Sequence, residues 1–261
     1  MRWMYFLIFI IALKAHAIVI RHDVADKNYL FAAQTDSSTV TFYGIYKGEK
    51  IVEGTGTLIA DDWIVTAAHV ANYLSPGGKV EFKNTSYKIE KVVCHPRWQD
   101  KKYPFDIALI KLFTPIKSAT IAKLYFADDE AGQTATFLGR GDTGNGIQGI
   151  TGADGHMRLA ENKIIAAEEQ WIKFEFDQGE DALPLEGISG PGDSGGPAFV
   201  SAQNNLYIVG VSSWQDTEPT KWQEARYGVV ENYTRISYFK NWIIETMSGE
   251  AFDKDLPSSE R

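Results

Sequence analysis

Gly192-Asp193-Ser194-Gly195-Gly196-Pro197 puts a serine on a turn between glycines. Its hydroxyl can stand clear of the backbone. The glycines leave no side chains in front of the neighbouring N–H groups. Such a turn suits a nucleophile with an anion pocket built from main chain. Six specified positions in a row set it apart from an ordinary Gly-rich surface turn.

A nucleophilic serine needs a base, and the base needs an orienting group. Upstream, Thr66-Ala67-Ala68-His69 follows the apolar run Trp63-Ile64-Val65, so His69 is expected at the end of a buried strand. Further on, Asp106-Ile107-Ala108-Leu109-Ile110-Lys111-Leu112 opens a second apolar strand with a carboxylate at its mouth. Alone, His69 would read as a satisfied core histidine and Asp106 as a turn residue. With Ser194 they occur in the order His, Asp, Ser, 37 and 88 residues apart, and they read as one site.

These three blocks resemble the trypsin/chymotrypsin family of serine proteases. The order of the triad separates that family from subtilisins and α/β-hydrolases. Softer echoes lie between the blocks: Gly56-Thr57-Leu58-Ile59, His95-Pro96, Gly139 to Gly144, Ser213-Trp214 and Trp242. The resemblance spans about residues 18–247. It implies an all-β fold of two packed six-stranded antiparallel β-barrels with a C-terminal helix. It also implies catalytic His69, Asp106 and Ser194, with Gly192 and Ser194 as oxyanion donors. No cofactor or metal is called for, and Ala71 to Lys79 lacks the carboxylates of a calcium loop.

In the resembling family a new Ile-Val N-terminus pairs with the aspartate before the catalytic serine. Here those residues are Ile18 and Asp193, although Ile20-Arg21 stands where the family favours two glycines. A plain first strand at Ile18 to Ile20 is the alternative. The substrate-binding residues implied are Ile188, Ser189, Ser213, Trp214 and Gln215. Ile188 stands where trypsin-like members carry an acid, which points to an apolar or small substrate side chain. Gln215 stands at a common glycine and narrows the pocket. Glu231 reads as a solvated strand-end charge, with a place in the pocket wall as the alternative.

The 261 residues are 44% hydrophobic and 13% aromatic, ample for a packed core, and no linker divides them. Met1-Arg2-Trp3, the apolar run Met4 to Leu13 and Ala15-His16-Ala17 have the form of a secretory signal over residues 1–17. The run is short for a membrane span. Loss of Arg2 and Lys14 with this leader takes the net charge from −8 to −10. No basic patch invites nucleic acid. Cys94 is the one cysteine, so no internal disulfide can form, unlike most secreted relatives. It reads as a small buried residue.

Short apolar runs between turn signals predict strands, among them Val40–Tyr46, Trp63–Ala67, Tyr87–Cys94, Ile107–Phe113, Trp171–Phe176 and Leu206–Ser212. Tyr238–Met247 has helical spacing, and His69–Leu74 reads as a short helical turn. Glycine-rich Asp142–Gly155 reads as a loop, Arg140-Gly141-Asp142 as a turn, and residues 248–261 as a polar disordered tail.

The resulting expectation is a secreted, monomeric serine endopeptidase acting on protein or peptide substrates, without stable membrane association once the leader is removed. Two other classes remain open: a non-catalytic homologue that binds a partner, and a serine esterase on the same fold.

Overall fold

The computed structural model describes residues 18–35, 38–202, 205–217 and 223–249. The leader expected at 1–17 and the tail from 250 onward lie outside these residues. Of the expected tail, Ser248 ends a helix and Gly249 caps it with φ +82°.

Along the chain come β1 (Ile18–Ile20), α1 (Asp26–Ala32), β2 (Thr39–Tyr46), β3 (Glu49–Ala60), β4 (Trp63–Thr66), α2 (Ala68–Ala71), β5 (Lys79–Phe82) and β6 (Thr85–Cys94). There follow β7 (Ala108–Leu112), β8 (Lys123–Leu124), β9 (Thr134–Gly139), β10 (Asp142–Asn145), β11 (Gly149–Ala153) and β12 (Arg158–Glu168). The last are β13 (Trp171–Glu175), β14 (Gly187–Ile188), β15 (Pro197–Ala202), β16 (Asn205–Asp216), β17 (Val230–Arg235) and α3 (Lys240–Ser248).

Two six-stranded antiparallel barrels result. The first closes as β2-β3-β4-β7-β6-β5. The second runs β15-β9-β12-β13-β17-β16 and closes through β15–β16, with β8 added in parallel on β16. Strands with alternating apolar residues bury one face, and closure leaves few bare edges. Phe137, Phe174 and Tyr233 fill the second barrel, with Phe137 and Tyr233 stacked 5.1 Å apart. A core that includes Phe42, Leu58, Ile64, Ile89 and Ile110 fills the first and runs on to Phe239, Trp242 and Ile243 at α3. Each such side chain contributes roughly 1.5–3 kcal/mol by leaving water. Buried His95 stacks on Phe105 and meets Phe239 and Trp242, tying α3 to the end of β6.

The expected loop at Asp142–Gly155 is instead the hairpin β10–β11, and this corrects the sequence reading. Its glycines hid a strand whose partner is remote: β10 pairs in parallel with β1, with Ile18 opposite Thr143. On its other edge β1 pairs with β14, Val19 opposite Ile188. Arg140 donates to the Gly155 carbonyl at 2.8 Å, and the Asp142 N–H donates to the Pro191 carbonyl. The Arg-Gly-Asp tripeptide is thus built into the turn after β9. Helix α1 was not foreseen. Its Tyr29 is fully buried and donates to the Glu186 carbonyl at 2.9 Å.

Candidate active site

The pairing of β4 with β7 explains why His69 and Asp106 meet. Thr66 lies opposite Ala108, so the chain leaving β4 and the chain entering β7 emerge at the same end of the sheet. His69 lies three residues past Thr66, on the single turn of α2. Asp106 lies two residues before Ala108. The Asp106 carboxylate accepts from the His69 backbone N–H at 2.8 Å and lies 2.7 Å from its Nδ1. Ser213 donates to the same carboxylate at 2.5 Å, and Thr234 donates to the Asp106 carbonyl at 2.8 Å. Asp106 is buried while the imidazole is about one-third exposed.

Ser194 comes to this place on the turn between β14 and β15. Its carbonyl accepts from the Thr55 N–H of β3 at 2.8 Å, which joins the turn to the first barrel. Thr55 Oγ1 donates to the Gly192 carbonyl at 3.0 Å. Gly54 sits between the Val70 side chain and the Ser194 carbonyl, so Ser194 and the helix carrying His69 are neighbours. Among the described residues no hydrogen bond links the Ser194 hydroxyl to His69; such contacts often tighten only when substrate binds. Nor do the Gly192 and Ser194 N–H groups have acceptors there, whereas those of Asp193, Gly195 and Gly196 bond to Gly190, Ser212 and Asp193 carbonyls. Gly195 is required as glycine: φ is +78°, and a Cβ would lie 2.4 Å from the Thr55 carbonyl oxygen.

Asp193 points inward. Its carboxylate accepts from the N–H groups of Gly141 at 2.7 Å, Gly190 at 2.9 Å and Ile18 at 3.2 Å. Burial outweighs these bonds and lifts its carboxyl to about 7.

Beside Ser194 lies a cavity of about 230 Å³, lined by Ser189, Gly190, Pro191, Ser212, Ser213, Trp214, Gln215, Glu224 and Glu231. Four of the five residues expected to bind substrate line it. Ile188 does not: it is fully buried behind the wall, packed with Val19, Phe176, Ala225 and Val229. That corrects the placement of Ile188 in the pocket and removes it as a ground for the apolar reading. Pairing with β1 turns the Ile188 side chain into this core. Gln215 bridges two walls, donating to the Ser189 carbonyl at 2.8 Å and accepting from the Ala225 N–H at 3.0 Å. Tyr103 stacks on Trp214 with centroids 4.5 Å apart.

Glu231 is not a solvated charge. It is 1% exposed and accepts from the Ser189 N–H at 3.1 Å, the Ser189 hydroxyl and the Ser212 hydroxyl. The sequence did hold a signal for this. Glu231 and Tyr233 share a face of β17 at the two-residue strand period, and Tyr233 is core. Cys94 is a free, partly buried thiol whose pKa burial pushes up, so it carries no nucleophilic signature.

The Trypsin family model matches residues 44–243. A trypsin of Saccharopolyspora erythraea is 30% identical over 214 residues, 75% of this chain and 87% of that protein. A trypsin of Phaedon cochleariae is 29% identical over 215 residues, 73% of this chain and 77% of its own length. Human transmembrane protease serine 11A is 25% identical over 205 residues, 72% of this chain and 47% of that protein. With these matches laid over the two barrels and the His69–Asp106 pair beside the Ser194 turn, the chain belongs to the trypsin family of serine proteases.

Proposed function

We propose that this chain is a secreted serine endopeptidase that cleaves protein or peptide substrates through an acyl-enzyme on Ser194. The carrying observation is the His69 Nδ1–Asp106 contact of 2.7 Å next to a serine turn with two unengaged N–H groups. Ser194 attacks the scissile carbonyl, and His69 takes its proton and passes it to the leaving amine. Asp106 holds the imidazole and stabilises the imidazolium, while Ser213 and Thr234 hold Asp106. The N–H groups of Gly192 and Ser194 receive the oxyanion, each worth about 3–4 kcal/mol of transition-state stabilisation. Water then releases the acyl group with His69 as base.

The same reading includes removal of residues 1–17 as a secretory signal, leaving Ile18 as the first residue of a monomeric protease domain at 18–247. Its new ammonium then stands where the Ile18 N–H meets Asp193. The Ile18 backbone supports this. In the uncut chain its φ is +54°, a torsion that β-branched residues rarely adopt. As the first residue it has no φ, and that strain disappears.

A fluorophosphonate probe tests the nucleophile. Intact-mass and peptide analysis should find one adduct, on Ser194. An unlabelled, folded protein would favour the binding-homologue reading. Labelling with ester turnover but no peptide cleavage would favour the esterase.

A further inference from the structure

We propose that Thr55 is a positioning residue for catalysis: its hydroxyl holds the Gly192 carbonyl and so keeps the Gly192 and Ser194 N–H groups aimed at the oxyanion. This rests on the reading of Ser194 as nucleophile and deepens it, by assigning the side chain that sets the anion pocket.

The turn that carries the pocket has a freedom that the pocket cannot tolerate. Gly192 has φ +91° and no side chain to resist rotation of the peptide planes on either side of it. Three bonds restrain those planes from main chain to main chain. The Asp142 N–H donates to the Pro191 carbonyl, the Asp193 N–H to the Gly190 carbonyl at 2.9 Å, and the Gly196 N–H to the Asp193 carbonyl at 2.8 Å. The fourth restraint comes from a side chain of the other barrel: Thr55 Oγ1 of β3 donates to the Gly192 carbonyl at 3.0 Å. If the Gly192–Asp193 plane turned over, its oxygen would leave Thr55 and its N–H would leave Gly190. The Gly192 and Ser194 N–H groups that flank this plane would then no longer converge on one point, and misplacement on the ångström scale is costly to catalysis.

Thr55 does this from a fixed place. It is buried, its N–H donates to the Ser194 carbonyl at 2.8 Å, and its carbonyl accepts from Thr66 Oγ1 at 2.8 Å. Thr66 ends β4, three residues before His69. Through its N–H, its carbonyl and its hydroxyl, Thr55 thus joins the turn of the nucleophile to the strand that leads to the base. Strand formation does not call for the hydroxyl, since valine has the same shape and suits a strand as well. Thr57, two residues further along β3, is equally buried, and its hydroxyl has no partner among the described residues. One threonine of this strand therefore has its hydroxyl engaged with the pocket, and the other supplies its control.

The test compares purified wild type with Thr55→Val, Thr55→Ser and Thr57→Val. It reads kcat and KM on a peptide that wild type cleaves, the rate of fluorophosphonate labelling of Ser194, and a thermal melt. The phosphoryl oxygen of that probe takes the same two N–H groups as the oxyanion. Thr55→Val should lower kcat and the labelling rate together by about tenfold, the worth of one hydrogen bond, with KM changed less than about twofold. Thr55→Ser should restore both rates to within about threefold of wild type. Thr57→Val should keep them at the wild-type level. Thr55→Ala carries the same expectation as the valine form if that form does not fold. Wild-type kcat in Thr55→Val overturns the proposal, as does a loss confined to KM, an equal loss in Thr57→Val, or a serine form as slow as the valine form. A wild type that takes no fluorophosphonate sinks the nucleophile reading and this one with it, whereas a labelled wild type with an indifferent valine form sinks this one alone.

Discussion

At the residue scale the site depends on a few short contacts around Asp106. The Asp106 carboxylate bonds both the backbone and the ring of His69, so it fixes the position of the imidazole and the tautomer together. An amide cannot accept at both of its heavy atoms. Asp106→Asn is therefore expected to keep the fold but lower kcat about 10⁴-fold, as loss of the orienting carboxylate does in triads. Steady-state kinetics with a thermal melt checks it, and a loss below tenfold would remove Asp106 from the account. The proposed triad was legible in the sequence because each member sits in a contiguous local block. The place of Glu231 in the cavity wall was legible only as an alternative, through the strand face it shares with Tyr233. Which way Ile188 and Glu231 face is set by pairing with β1 and β13, strands far away in the chain.

At the element scale the decisive piece is the three-residue strand β1. It joins β10 to β14 and brings the Ile18 nitrogen to Asp193. In the uncut chain no cation meets Asp193 among the described residues, and its carboxyl is lifted to about 7. Its folded pKa then stands above the unfolded value of about 3.9. Its stability contribution is full below the unfolded value and is lost as pH rises through the folded one. On the proposed maturation at Ile18, the new ammonium lets Asp193 ionise. That pairing raises the amine's folded pKa above its unfolded value of about 8, so the stabilisation persists at neutral pH. It is lost only when pH rises through the raised value. A form with one extra residue before Ile18 should thus lose more melting temperature between about pH 5 and about pH 8 than the form starting at Ile18. It should also lose most activity, since a buried pair broken on one side costs roughly 3–5 kcal/mol. Equal melts and equal activity would leave β1 as a strand and nothing more. Glu231 and Glu186, also lifted to about 7 by burial, are common to both forms and cancel in the comparison.

At the scale of the whole molecule two barrels hold their loops without a covalent staple. Cys94 is free, and side-chain bonds tie the loops instead: Thr55 Oγ1 to the Gly192 carbonyl, and Gln215 across the cavity wall. Dithiothreitol is expected to leave the melting temperature of the monomer unchanged; a marked drop would contradict a disulfide-free core. The barrel class was legible because short apolar runs with strand periodicity recur along the chain. The hairpin at Asp142–Ala153 was not, because its pairing partner lies over a hundred residues away and its glycines read locally as a loop. The most direct test of the central claim is hydrolysis of a diverse peptide mixture by wild type and Ser194→Ala at matched purity and equal melting temperature. Wild type should cleave internal peptide bonds, and the alanine form should be slower by about 10⁴–10⁶-fold. Turnover by Ser194→Ala at the wild-type rate would contradict the assignment of Ser194 as the nucleophile.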